Sequence, residues 1–166
     1  MVISKKHTQV INILVNNNLV EQVKKFKYLG HWIHETLDQE QEKCRIEQAR
    51  NSFLKMRQLL TTRNLDLSLR YRMIKCYVYS VLLHGVEAWT LTVSSLRHLE
   101  SFEMWVFRRM LKTSWTDRVR NEEVLRRMNR EREPTEIVKK RKTSYLGHIF
   151  RHDRYNFLQL IIEGKI

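Results

Sequence analysis

Phe26-Lys27-Tyr28-Leu29-Gly30-His31-Trp32-Ile33 decides how this chain folds. Phe26, Tyr28 and Trp32 stand at even spacing, as side chains on one face of a strand do. Upstream lies an alternating apolar run, Val10-Ile11-Asn12-Ile13-Leu14-Val15, and then Asn16-Asn17-Asn18. Alternation followed by residues that tolerate positive φ reads as strand, turn, strand. A β-hairpin is therefore predicted over residues 9 to 33, closed by the Phe26–Ile33 block. Val2-Ile3-Ser4 reads as a further short strand. Two or three strands do not hold together alone in water. Their apolar face, with Phe26, Tyr28 and Trp32, is expected to be buried, either under helices of this chain or under another part of a larger protein.

Everything after the hairpin reads as helix. Four Gly and one Pro among 166 residues fall well under the usual share of about 7% and 5%. Few breakers mean long helices. Glu35, Asp38, Glu40 and Glu42 put negative charge where it complements a helix start. Ile46, Ala49, Phe53, Met56 and Leu60 then recur at helical spacing, an apolar stripe that Thr61-Thr62-Arg63-Asn64 ends. A second helix is expected over 66–85. It is apolar nearly all round from Met73, as a central helix of a bundle is, and Gly85 is placed to end it in a left-handed conformation. Ser94 or Ser95 is expected to cap a third helix with Leu96, Leu99, Phe102, Val106 and Met110 on one stripe. Trp115-Thr116-Asp117 breaks the pattern. Asn121 then caps a short helix with Glu122 and Glu123 in its first turn. Pro134 suits the first turn of a long helix reaching about Phe150, and Tyr155 to Ile166 forms a last apolar segment. The predicted fold is mainly α: a helical bundle with a small N-terminal antiparallel β-hairpin.

The chain carries 31 Lys and Arg against 18 Asp and Glu, a net charge of +13. A surplus of that size favours a polyanionic partner, nucleic acid before an anionic membrane. Cys44 and Cys76 are too few for a disulfide framework, which points to a reducing, intracellular setting, nuclear or cytoplasmic. No apolar leader is visible at the N-terminus. The longest apolar stretch, Met73 to Leu83, is interrupted by Lys75 and falls far short of about 20 residues, so no membrane span is expected.

The order of motifs resembles the reverse transcriptases of non-LTR (LINE-type) retrotransposons. The block Phe26-Lys27-Tyr28-Leu29-Gly30 with Ile33 is similar to the end of the palm in that family. The likeness continues through Leu82-Leu83-His84-Gly85-Val86-Glu87-Ala88-Trp89-Thr90, then Phe102-Glu103-Met104-Trp105 with Arg108-Arg109-Met110-Leu111. It runs on through Ser114-Trp115-Thr116-Asp117-Arg118-Val119, Asn121-Glu122-Glu123-Val124-Leu125 and Leu146-Gly147-His148-Ile149-Phe150-Arg151-His152. The resemblance thus covers nearly the whole chain. It implies an end-of-palm hairpin at 1–35, a thumb-like helical bundle at 36–115 and a basic helical segment at 116–166. It also implies a part that starts just after the catalytic centre, because the paired aspartates of such a palm are missing: no two Asp are adjacent. The implied partners are nucleic acid (RNA–DNA hybrid, RNA or DNA) and the absent palm and fingers of the polymerase.

The resemblance implies that the hairpin grips a primer end. Lys24, Lys25 and Lys27 are its phosphate contacts, with Tyr28 and Gly30 beside them. Arg45, Arg50, Lys55 and Arg57 on the first helix are placed to follow the backbone of an A-like duplex; a solvated charged face explains them equally well. Arg108 and Arg109 join the candidates. So do Lys139, Lys140, Arg141 and Lys142, with Arg126, Arg127, Arg130 and Arg132 upstream. Four consecutive charges on one helix fan around its circumference and do not all meet one duplex. A nuclear-import signal, a phosphate-binding edge and a solvated face all remain open for that run.

No catalytic constellation emerges. Asp66, Asp117 and Asp153 are isolated, and Gly30, Gly85, Gly147 and Gly164 form no phosphate loop. His148 and His152 share a helix face, yet a metal site needs further ligands, so neither metal nor cofactor is expected. Two-metal phosphoryl transfer requires carboxylates that hold both ions. The expectation is a catalytically incomplete polymerase fragment that binds template–primer or RNA through backbone contacts. A retrotransposon relic without function and a repurposed basic interaction module are the other readings the sequence leaves open.

Overall fold

The computed structural model describes residues 12–23, 25–28, 31–34 and 40–165. The chain divides into two compact units, Met1–Cys44 and Arg45–Ile166. The fold is mainly α with small antiparallel β-hairpins at the N-terminal end.

Among its described residues the first unit holds two hairpins where one was expected. Strand β1 (Leu14–Val15) pairs with β2 (Asn18–Leu19), and Asn16 and Asn17 between them both have positive φ. Asparagine tolerates that conformation, and two such residues make the turn that matches strand twist. Strand β3 (Lys25–Tyr28) pairs with β4 (His31–His34), with Tyr28 opposite His31. The Phe26–Ile33 block therefore reverses on itself and does not close the hairpin turned at Asn16. Phe26 and Tyr28 are exposed at 50% and 57%, so the described part of this chain does not cover that aromatic face. Lys24, Leu29 and Gly30, the strand expected at Val2-Ile3-Ser4 and the acidic residues Glu35 and Asp38 lie outside the described residues.

The helical unit follows the apolar stripes. Helix α1 (Glu40–Lys55) and α2 (Arg57–Thr61) are one stripe bent at Met56, where φ and ψ leave the helix. Ala49, Phe53 and Leu60 on that stripe are fully buried. Asp66 caps α3 (Leu67–Met73) by accepting from the Ser68 amide. The chain continues through a π-helical turn (Ile74–Tyr79) into α4 (Ser80–Leu82). The wide turn presents the Tyr77 carbonyl to the Ser52 hydroxyl of α1, 2.9 Å away. This segment is not apolar all round: Ile74, Val78, Tyr79 and Leu82 are buried, whereas Lys75, Cys76 and Tyr77 face water. Gly85 has φ +65, the left-handed residue expected there.

Helix α5 (Val93–Leu111) is capped by Thr92, whose hydroxyl accepts from the Ser95 amide, and not by Ser94 or Ser95. Threonine just ahead of the two serines satisfies the same orphan amides. Leu99, Phe102, Val106, Phe107 and Met110 line the core side of α5. Each fully buried aromatic or aliphatic side chain there contributes about 1.5–3 kcal/mol. Helix α6 (Asn121–Met128) begins at Asn121 without using it as a cap, because its Oδ1 accepts from Arg108 instead. Pro134 opens α7 (Pro134–Arg151), and α8 (Asn156–Ile162) ends the fold. The core gathers Phe53, Leu60, Val78, Leu99, Phe107, Val124, Met128 and Val138 from α1 to α7. No helix among the described residues is long and apolar enough to cross a membrane.

Candidate nucleic-acid interface

Packing of α1 on α5 is organised by Trp105. Its ring meets Phe53 of α1 edge-on at 5.2 Å and stacks on Phe102 at 5.8 Å and 16°. Aromatic pairs in these geometries are worth about 0.5–1.5 kcal/mol beyond area burial. Trp105 itself stays partly exposed. Arg109, one turn on, lays its guanidinium 3.9 Å above the indole, and Arg50 of α1 approaches the same ring to 5.1 Å.

This arrangement concentrates positive charge. Burial and the fields of Arg50 and Arg57 hold the Arg109 guanidinium below its ordinary pKa. Arg50 reaches Glu47 only at 3.7 Å, and its Nε is buried without a hydrogen-bond partner. Among the described residues no ion pair engages Arg57 or Arg109. Three guanidiniums with a single, loosely paired carboxylate at Arg50 repel, and an anion placed among them relieves that repulsion. Of the candidates on the first helix, Arg50 flanks the core stripe beside Trp105. Arg45 bonds Gln48 at 3.2 Å, and Lys55 is exposed.

The other candidates separate into two groups. Arg108 turns from the cluster and donates from Nη2 to the Val119 carbonyl and to Asn121 Oδ1, both at 2.8 Å, pinning the start of α6. In the α7 run, Arg141 donates to the Leu83 carbonyl at 3.0 Å. Lys142 donates to the Glu87 and Trp89 carbonyls at 2.9 and 2.6 Å. Burial lowers the Lys142 pKa while Glu87 pulls it up. Lys139 pairs with Glu136, and Lys140 is exposed. Upstream, Glu123 takes both Arg126 and Arg127, Arg132 pairs with Glu100, and Arg130 lies 4.6 Å over the Tyr71 ring. In the first unit Lys25, Lys27 and Tyr28 are exposed on β3.

Two polar groups missed at the sequence level lie inside the fold. Arg70, 8% exposed, donates to the carbonyls of Leu60, Leu65 and Met110 and so ties together the ends of α2 and α5. Glu103, fully buried, accepts from the Glu133 amide at 3.2 Å and from Tyr79 at 3.3 Å, while its Oε2 has no partner. Burial pushes its pKa up to about 7. Burial, with the neighbouring Glu103, also raises Tyr79. Burial and the hydrogen bond to Glu133 raise Tyr71. A carboxyl so enclosed is out of reach of a substrate. Its signal in the sequence is its place inside the stripe of Phe102, Val106 and Met110.

His148, His152 and Tyr155 meet edge-on or tilted as an aromatic group, the two imidazole centroids 4.4 Å apart. Burial, with His152, Arg154 and Arg151, depresses the His148 pKa. Among the described residues no three His, Cys, Asp or Glu converge as a metal site would need. Comparison with protein families, with curated proteins and with solved structures returned no match.

Proposed function

We propose that this chain is the end-of-palm, thumb and post-thumb part of a non-LTR retrotransposon reverse transcriptase, and that it holds an RNA–DNA hybrid or RNA by its phosphates. The observation that carries the binding reading is the pair Arg50 and Arg109 over the Trp105 ring, with Arg57 close enough for its field to act on Arg109 and with Glu47, 3.7 Å from Arg50, as the one carboxylate paired with any of the three among the described residues. Guanidinium forks suit phosphate oxygens. Such contacts position a duplex and carry no base readout. With no adjacent Asp-Asp, the chain binds and does not polymerise by itself. The absent palm and fingers are its polymerase partners, and a nuclear or cytoplasmic setting goes with that reading.

Fluorescence anisotropy with a labelled RNA–DNA hybrid tests this. If about six or more phosphates are met, affinity falls by orders of magnitude between about 50 and 200 mM salt. A flat salt response, or no binding, sinks the reading.

A further inference from the structure

Beside the cluster, on the same side of α5, lies a cleft of about 600 Å³. Met104 and Trp105 give it an apolar floor. Arg97, Arg108, Arg109 and Arg132 supply its charge, and Ser101 stands at its wall. Among the described lining residues Glu100 is the one carboxylate, and Arg132 neutralises it at 2.7 Å. The cleft is therefore strongly cationic, and the Arg109 guanidinium lying on the Trp105 ring gives it a flat surface.

Size decides what enters. Clefts of roughly 300–1,000 Å³ take one small ligand, and a duplex is far too wide. A single unstacked nucleotide has the matching parts: a phosphate for the arginines and a flat base for the Trp105–Arg109 surface. Unpaired bases stack on aromatic rings and on guanidinium planes in the same way. Arg109 belongs to both the cleft and the phosphate cluster, so a strand held on the cluster delivers its next nucleotide here.

We infer that the Trp105 cleft binds one unpaired nucleotide, phosphate and base together, next to the duplex held by Arg50, Arg57 and Arg109. The inference rests on the phosphate-binding reading for its duplex, and on the cleft alone for its nucleotide.

The test compares a blunt RNA–DNA hybrid, the same hybrid with a short single-stranded overhang, and free adenosine 5′-monophosphate, all with the full chain. The overhang is expected to tighten binding about tenfold, the worth of one stacked base. Ser101→Phe, which fills the cleft from an exposed position, and Arg97→Ala, at another exposed position, are expected to abolish that gain. Both are expected to leave blunt-hybrid binding and the thermal melt unchanged. Free nucleotide is expected to compete away the overhang advantage only. Competition at affinity equal to that of the overhang identifies a free nucleotide as the ligand; much weaker competition identifies a strand end. If blunt and overhang hybrids bind alike and the nucleotide does not bind, the cleft inference is overturned while the duplex reading stands. If the nucleotide and overhang bind but the blunt hybrid does not, the cleft inference stands and the duplex reading fails. If nothing binds, both fail.

Discussion

The arginines around Trp105 and the basic run of α7 look alike in sequence and end differently. In α7, Arg141 and Lys142 reach back to carbonyls of Leu83, Glu87 and Trp89, the turn that follows α4. Carbonyls past a helix end lack a helical partner, and cations satisfy them well. On α5, Arg109 lies over an indole among other guanidiniums. The first group is consumed in holding the fold, whereas among the described residues no ion pair engages Arg57 or Arg109. Availability of a charge is thus set by which carbonyls and carboxylates tertiary packing brings near it, and local density of Lys and Arg does not report it.

The comparison breaks most sharply at the interior extreme. Arg70→Ala removes a buried guanidinium from three carbonyls and leaves the ends of α2 and α5 unsatisfied. A loss of about 2–4 kcal/mol is expected, since buried polar groups deprived of a charged partner cost that much. Denaturant titration checks it, and an unchanged midpoint would show that Arg70 does not tie these helices.

Next in size is a pH effect. The folded pKa of Glu103 is raised from 4.5 to about 7, so folding favours its protonated form. Its contribution is fully present below about pH 4.5 and is lost as pH rises towards 7. The loss is about 2–3 kcal/mol, because each tenfold difference in proton affinity between the folded and unfolded chain is worth about 1.4 kcal/mol. Glu133 acts in the opposite direction at lower pH. Despite the burial that raises it, hydrogen bonds from Lys75 and Tyr71 hold it below its ordinary value. The difference between wild type and Glu103→Gln isolates Glu103. That difference is expected to change across pH 4.5–7 and to be flat above it. A constant difference would refute the assignment.

Lys142→Met sharpens the contrast directly. It withdraws a donor from the Glu87 and Trp89 carbonyls. About 1 kcal/mol of stability is expected to go, with hybrid affinity at a given salt unchanged. Arg50→Ala and Arg109→Ala are expected to do the reverse. Each reduces the slope of log affinity against log salt by about one and leaves the melt nearly in place. If Lys142→Met weakened binding as much as Arg109→Ala, the division between the two groups would be wrong.

What the sequence makes legible follows from periodicity. The stripe from Ile46 to Leu60, the left-handed Gly85 and Pro134 at the start of α7 are local features with local causes. The hairpins escape it because an eight-residue alternating block is equally compatible with one strand or with two short ones. Pairing of Tyr28 with His31 selects the second. Thr92 outcompetes Ser94 and Ser95 because a cap is fixed by where the helix starts. For the candidate site, the Trp105–Arg109 spacing of one turn is visible in the sequence. Its meeting with Arg50 is not, since that depends on how α1 lies on α5.

The smallest expected effect sits on the remaining half of the α7 run. Lys140 is exposed, and Lys139 shares a surface pair with Glu136 at 2.8 Å. Exposed pairs of this kind are worth about 0–1 kcal/mol. Lys139→Ala with Lys140→Ala is therefore expected to move stability by no more than about 0.5 kcal/mol, because no buried group loses a partner. Its effect on hybrid binding separates two roles for the same charges. If these lysines only solvate the helix, affinity and salt slope stay as in wild type. A slope reduced by about two would mean that both touch phosphates, and the binding surface would then extend from the Trp105 cluster to the outer face of α7.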